Sequence, residues 1–406
     1  MLRVSRSGLL LILIFISVGA ASAQAEVNFG EVSASHIFSE QLSFQAEITT
    51  NQPITNLELV FQPQGRSSIV LPVSVSDGNH LTVVYQINQQ DSFAPFIEIS
   101  YWFIAHMENG GQVESGIYTY QYSDNRYTWQ TLDSPENYRV FWVEGDPAFG
   151  QAVLDAVDSS YDRFEQYLSL PIPDSLDIFV YPSSNAMQTA LETSGINWAS
   201  GHADPALGHV FTVISGEYDE RFETESTIPH EVTHIRLYLR LGENYANLPA
   251  WLNEGISLLS ERIQSTDWSQ VVRAQQDHRL FAFSQLCNAF PRTGSEAAVA
   301  YAQSESLVRY IFQEYGKIGL ESLIEAYNQG YACEQGVQVS LGISLTALET
   351  NWHKAHFNQA PPTVESEGLI GLAIIAVVVS LPALLMIAID TRRRRKREAK
   401  IIAGNK

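Results

Sequence analysis

The chain has 406 residues, with 24 Lys plus Arg against 45 Asp plus Glu and a formal net charge of −21. Ten of the basic residues lie at the two ends, so the middle is more acidic still, which argues against nucleic acid or an anionic lipid surface as its partner. The part between the ends is long enough for two domains.

In chain order, residues 1–25 carry Arg3 and Arg6, the apolar run LLLILIFISVGA and the small-residue end ASAQA. This is the layout of a secretory signal peptide cut after Ala23 or Ala25, with an uncleaved anchor as the alternative. Residues 26–132 hold short runs that alternate apolar and polar side chains, LSFQAEIT, NLELVFQP, LTVVYQIN, FIEISYWFIA and GIYTYQYS. Turn residues such as Asn51, Pro53, Asp77, Gly78, Asn109 and Gly110 separate them. Such a pattern predicts an all-β sandwich of immunoglobulin-like architecture, without the paired cysteines of antibody domains.

A linker at 132–137 then leads into a second domain, 133–358. Here the pattern predicts a strand at 138–143, a helix at 149–168, the strand LDIFVYP, a loop holding Gly195 and Trp198, and the strand GHVFTVIS. The next stretch is TIPHEVTHIRLYLRLGENYANLPAWLNEGISLLSE. Ser226 or Thr227 is placed to cap a helix, Pro229 falls in its first turn, Ile228, Val232, Ile235, Leu239 and Leu241 give it an apolar face, and Gly242 stops it. A second helix starts near Pro249.

His230 and His234 are four residues apart, one turn above each other on one helix face, so both imidazoles can reach one ion. Zn2+ takes nitrogen ligands at roughly 2.0 to 2.1 Å, and its catalytic sites use three protein ligands. Glu254 follows His234 after nineteen intervening residues and offers a carboxylate as the third. Glu231 lies about 100° round the helix from His230, beside the ion, where a general base for an activated water belongs. HExxH alone arises by chance in many chains. A helix-compatible frame, the second carboxylate and a chain built for export give it weight here.

Downstream, helices are predicted at 269–289, 297–316, 320–328 and 345–356. Tyr301 is a candidate to steady the oxyanion of an attacked carbonyl, its alternative being an aromatic residue that packs on a helix. His202, His209 and His278 receive no role. The two cysteines, Cys287 and Cys333, read as a disulfide in an oxidising compartment or as two free buried thiols. Residues 359–367, with Pro361 and Pro362, read as a stalk. The uncharged run 368–389 is long enough to span a bilayer, and the basic residues 392–397 in the tail 390–406 mark a cytoplasmic side.

The residues HEVTH, WLNEG and the glutamate closing LLSE resemble the gluzincin metallopeptidases, which include thermolysin and the aminopeptidase N family. The nearest resemblance is to peptidase MA-like domains and covers roughly 137–357, including AYAQSESLVRYIFQEYG. It implies that His230, His234 and Glu254 are zinc ligands and Glu231 the catalytic acid/base. It also implies that the strand at 208–214 binds an extended substrate backbone by strand addition. The GAMEN-type motif of aminopeptidases is missing, so amino-terminal trimming is not implied. Glu261 is expected to orient a ligand histidine or to support the helix.

The expected protein is therefore α+β, a thermolysin/gluzincin-like metallopeptidase domain preceded by an immunoglobulin-like sandwich and followed by one transmembrane helix. It would be a single-pass cell-membrane zinc hydrolase, its catalytic domain outside, acting on a peptide or protein substrate. Two alternatives stand beside it: a cell-surface binding protein with a catalytically silent scaffold, and a zinc hydrolase of something other than a peptide.

Overall fold

Alternation of buried and exposed residues builds the first half of the chain. A computed structural model describes residues 27–74, 79–88, 93–191, 201–216, 219–291 and 294–357. The expected signal peptide, stalk, membrane span 368–389 and tail lie outside the described residues. Among the described residues no helix is long and apolar enough to cross a membrane. The described chain is mixed α+β, with strands first and helices after, and divides into two compact units.

The first unit comprises the described parts of 1–152, 177–202 and 211–220. Its strands begin with β1 (Val27–Ile37), β2 (Gln41–Thr50), β3 (Ile54–Pro63), β4 (Ile69–Pro72), β5 (His80–Gln86), β6 (Ile97–Met107), β7 (Gln112–Glu114) and β8 (Tyr118–Tyr122). They form two antiparallel sheets, β1-β2-β5 and β4-β3-β6-β7, with β8 also paired to β6. Along β6 every second residue is buried, from Ile97 through Tyr101 and Phe103 to Met107, so one face of the sheet is core. Phe44 of β2 meets Phe61 of β3 at 5.4 Å and Tyr101 of β6 at 5.0 Å, which sets the two sheets face to face.

Next come β9 (Gln130–Asp133), β10 (Tyr138–Trp142), α1 (Pro147–Phe164), β11 (Leu176–Tyr181), α2 (Ser184–Leu191), β12 (Gly201–Asp204) and β13 (His209–Val213). The stretch expected as a linker, 132–137, is the turn of a hairpin. β9 and β10 pair antiparallel, Ser134 N–H donates to the Tyr138 carbonyl at 2.7 Å, and Asn137 takes the left-handed conformation that asparagine tolerates. These strands lie in a five-stranded sheet of order β12-β13-β11-β10-β9. Phe179 of β11 stacks on Phe96 at 3.8 Å, on Phe141 at 4.8 Å and on Phe211 at 5.2 Å.

The second unit is mostly helical, with α3 (Glu220–Leu241), α4 (Ala250–Ser260), α5 (Trp268–Gln276), α6 (Gly294–Asn328), α7 (Cys333–Leu341) and α8 (Leu345–Phe357). Short 3-10 turns cover Gly242–Asn247 and Phe283–Leu286. α3 begins two turns before Ser226 and Thr227, so neither caps it, and Pro229 is an interior residue. A proline there leaves the carbonyl four residues back without its helical donor. That carbonyl, on Glu225, accepts instead from the N–H of Arg262 at 2.9 Å and of Ile263 at 3.4 Å, just beyond α4. Leu239, counted on the apolar face, is 47% exposed.

The helix expected at 269–289 breaks into α5 and the second 3-10 turn. The polar run from Gln275 to Arg279 has no apolar face to continue it, His278 turns to positive φ, and Arg279 N–H folds back to the Ala274 carbonyl at 2.7 Å. The helices expected at 297–316 and 320–328 run on as α6, with a break at Gly316, whose φ of 67° suits glycine. α7 was not anticipated from the sequence. Its Gly336 lies so close to the Tyr327 ring that an added Cβ would stand 2.3 Å from it, and the same glycine hides the helical pattern.

The core gathers Trp251, Leu252 and Ile256 of α4, Leu307, Val308 and Ile311 of α6, and Trp352 of α8. At Gly255 an added Cβ would lie 2.5 Å from Val308 Cγ2 and 2.6 Å from the Ser304 carbonyl oxygen, so α4 and α6 touch backbone to backbone. Gly255→Ala is expected to destabilise the fold by about 1–3 kcal/mol, read as a lowered urea midpoint, because rigid backbone must move to admit the methyl. Cys287 and Cys333 form a disulfide across a separation of 46 residues, which decides between the two readings of the pair. Replacing both with serine is expected to cost about 4 kcal/mol by loop-closure entropy, visible in the same denaturation.

Candidate metal centre

α3 presents His230 and His234 on consecutive turns with Glu231 next to His230, and α4 presents Glu254 toward them. Three contacts fix these two helices. Arg236, buried on α3, donates to the carbonyls of Leu170 at 2.8 Å and Pro171 at 2.9 Å while its guanidinium lies 4.8 Å over the Tyr161 ring. The Pro229 carbonyl accepts from Thr233 Oγ1 at 2.8 Å on its own helix and from Ser260 Oγ at 2.9 Å on α4. The close approach at Gly255 holds α4, and with it Glu254, from the other side.

Glu254 Oε2 lies 3.3 Å from His230 Nε2 and 3.7 Å from His234 Nε2. One donor atom from each of the three residues falls within 4.8 Å of the others. Glu254 Oε2 is buried with no well-aligned hydrogen-bond donor among the described residues. An oxygen of that kind, beside two imidazole nitrogens, fits a divalent cation better than any protein partner. The three residues read from the sequence as ligands therefore converge.

The far nitrogens of the two rings are held separately. His230 Nδ1 meets Glu261 Oε1 at 3.2 Å, and Ser265 fixes that carboxylate through its N–H at 2.6 Å and its hydroxyl at 2.9 Å. Glu261 thus orients His230, as one of its two expected roles. His234 Nδ1 faces Asn253 Oδ1 at 3.1 Å, Ser257 Oγ at 3.3 Å and Tyr245 Oη at 3.4 Å. Partners on Nδ1 fix ring orientation and leave Nε2 to the ion. The roles of Asn253, Ser257 and Tyr245 were not found in the sequence. Asn253 was findable from its place beside Glu254, whereas Tyr245 enters through a 3-10 turn that no periodicity announces.

Glu231 is buried beside the three residues without being one of them. Burial pushes its carboxyl up to about 7, with the charges of Glu254 and Glu261 adding to the rise and His230 and the backbone of Ala203 opposing it. His230 titrates well above 6.5: burial opposes its charge, but the carboxylates of Glu254 and Glu261 on its two nitrogens prevail, helped by Glu231. For Glu254 burial raises the pKa, and the two histidines lower it by more. Tyr301 on α6 comes to 6.4 Å from the His230 ring, centroid to centroid, and packs on Phe290 at 4.8 Å. Its hydroxyl is pushed up by burial and by the charges of Glu254 and Glu231, so it stays a neutral donor.

The strand expected to take substrate, 208–214, does not offer an open edge. β13 is flanked by β11 on one side and β12 on the other, because the chain turns back at Asp204–Gly208 and lays β12 outside it. The edge strand is β12, and its Ala203 reaches Glu231 through the backbone. His202 on β12, His209 in β13 and His278 in the turn after α5 stand outside the cluster.

Residues 164–358 match the Peptidase MA superfamily. No curated protein matches this chain. Among solved structures, a carbohydrate-binding module of family 56 that binds β-1,3-glucan aligns at 15% identity, over 23% of this chain and 98% of its own, with a TM-score of 0.17. A polysaccharide deacetylase from Bacillus cereus aligns at 11% identity, over 42% of this chain and 56% of its own, with a TM-score of 0.19. At these scores neither carries an argument. The segment that matches the Peptidase MA superfamily, 164–358, contains the whole His230, His234 and Glu254 cluster.

Proposed function

We propose that this chain is a zinc metallopeptidase. The observation that carries the reading is the convergence of His230 Nε2, His234 Nε2 and a Glu254 carboxylate oxygen, with the buried carboxyl of Glu231 beside them. A bound zinc ion would supply Lewis acidity, polarising the scissile carbonyl and acidifying a water. Glu231 takes the proton of the attacking water and passes it to the leaving amine, a task suited to a buried carboxylate beside the ligands. Tyr301 donates its hydroxyl hydrogen to the carbonyl oxygen as negative charge develops there. An extended peptide pairs with the open side of β12, which brings its backbone next to Glu231.

The same reading keeps the exported orientation that the sequence supports, with the signal peptide removed, the run 368–389 as a single span and the catalytic domain outside the cell. The purified full-length chain is expected to hold one zinc per molecule and to cleave a mixed peptide library. A chelator should stop cleavage and added zinc restore it. Folded protein without metal would remove the metal reading, and zinc without cleavage of any peptide would remove the peptidase reading.

A further inference from the structure

We propose that Tyr245 is a positioning residue that keeps His234 in the tautomer able to bind metal. The inference rests on the metal reading above but not on the reaction. A neutral imidazole has one N–H, so a lone pair on Nε2 requires the proton on Nδ1. Asn253 makes the shortest of the three contacts to that nitrogen, Ser257 Oγ and Tyr245 Oη lie farther and can donate or accept, and the Asn253 amide has an accepting end and a donating end of nearly equal shape.

In the structure Asn253 Oδ1 faces His234 Nδ1 at 3.1 Å, and Asn253 Nδ2 donates to Tyr245 Oη at 3.0 Å. Turned over, the amide would present its NH2 to His234 Nδ1. That nitrogen would have to accept, and the proton would move to Nε2, where it blocks the ion. A half-buried amide N–H without an acceptor is costly. With the Tyr245 hydroxyl in place, Nδ2 has its acceptor and Oδ1 is left for the histidine. Without the hydroxyl, Nδ2 loses the acceptor that holds it, and turning over toward the lone pair on His234 becomes the competing arrangement. Tyr245 comes from the 3-10 turn after α3 and Asn253 from α4, so the turn's conformation is tied to the chemistry of the ligand.

The test is zinc affinity of the full-length chain by competition with a chelating dye, for four forms: wild type, Tyr245→Phe, Asn253→Asp and the double variant. Tyr245→Phe is expected to weaken zinc binding 10- to 100-fold. Asn253→Asp presents an oxygen whichever way it turns, so adding Tyr245→Phe to it should change affinity less than twofold. Equal weakening in both backgrounds would mark Tyr245 as a packing residue only, and no weakening in either would also overturn the proposal. If Tyr245→Phe fails to fold, 15N spectra of histidine-labelled, metal-free wild type, taken at a pH where His234 is neutral, decide: the proton on Nδ1 of His234 supports the proposal and a proton on Nε2 overturns it. A wild-type chain that binds no zinc would sink the metal reading and this inference together. Zinc binding without peptide cleavage would leave this inference standing alone.

Discussion

Glu231→Gln is expected to lower kcat/KM for peptide cleavage by about 10²- to 10⁴-fold while zinc stays at one per chain. The two halves of the prediction have different causes. His230, His234 and Glu254 make up the donor cluster, and Glu231 contributes no atom to it, so the amide leaves the ligands intact. Glutamine has the length and shape of glutamate, and its carbonyl oxygen can still accept from the backbone at Ala203, so the cleft should keep its form. What is lost is a group able to take a proton. Turnover of the variant with a fluorogenic peptide, beside metal content by mass spectrometry, checks both halves. Full activity would remove Glu231 from its role as base. Loss of zinc with loss of activity would show instead that its charge supports the ion.

The helix pair at the centre was legible because its signal is local. Two histidines four apart need only a helix to converge, and Glu254 needs only a second helix that returns, which the apolar residues Trp251, Leu252 and Ile256 announced. The start of α3 was not legible, because Pro229 is ordinarily a first-turn residue. Here the carbonyl it leaves open is satisfied by Arg262 and Ile263, thirty-odd residues on, a long-range contact that no local pattern encodes. The edge strand was misplaced for a related reason. GHVFTVIS is the more apolar run, and complete burial is what hides a strand between two neighbours, while the short polar GHAD outside it gives little strand signal. The disulfide between Cys287 and Cys333 could not be decided from two positions 46 apart, since only the fold brings α7 back to the turn after Phe283–Leu286.

Zinc uptake is expected to release a proton and to weaken by about tenfold for each pH unit below the folded pKa of His230. Without metal, the imidazole of His230 stands between Glu254 and Glu261 and keeps its proton well above 6.5. An ion must displace that proton. The same shift sets the stability of the metal-free chain. A folded pKa raised above the unfolded value contributes stability that is complete below about 6.5 and is lost as pH rises through the folded value. Glu231 acts in the same direction: its carboxyl, raised from 4.5 to about 7, favours the folded chain most when protonated, and that advantage fades as pH rises through 7. Glu254, with its pKa lowered, contributes stability above its unfolded value and loses it only on acidification, below the window in question. From pH 6 to pH 8, then, the metal-free fold weakens while zinc affinity grows. The gain in Tm between chelator-treated and zinc-loaded protein should therefore be larger at pH 8 than at pH 6, and equal gains at the two pH values would show that His230 gives up no proton to the ion.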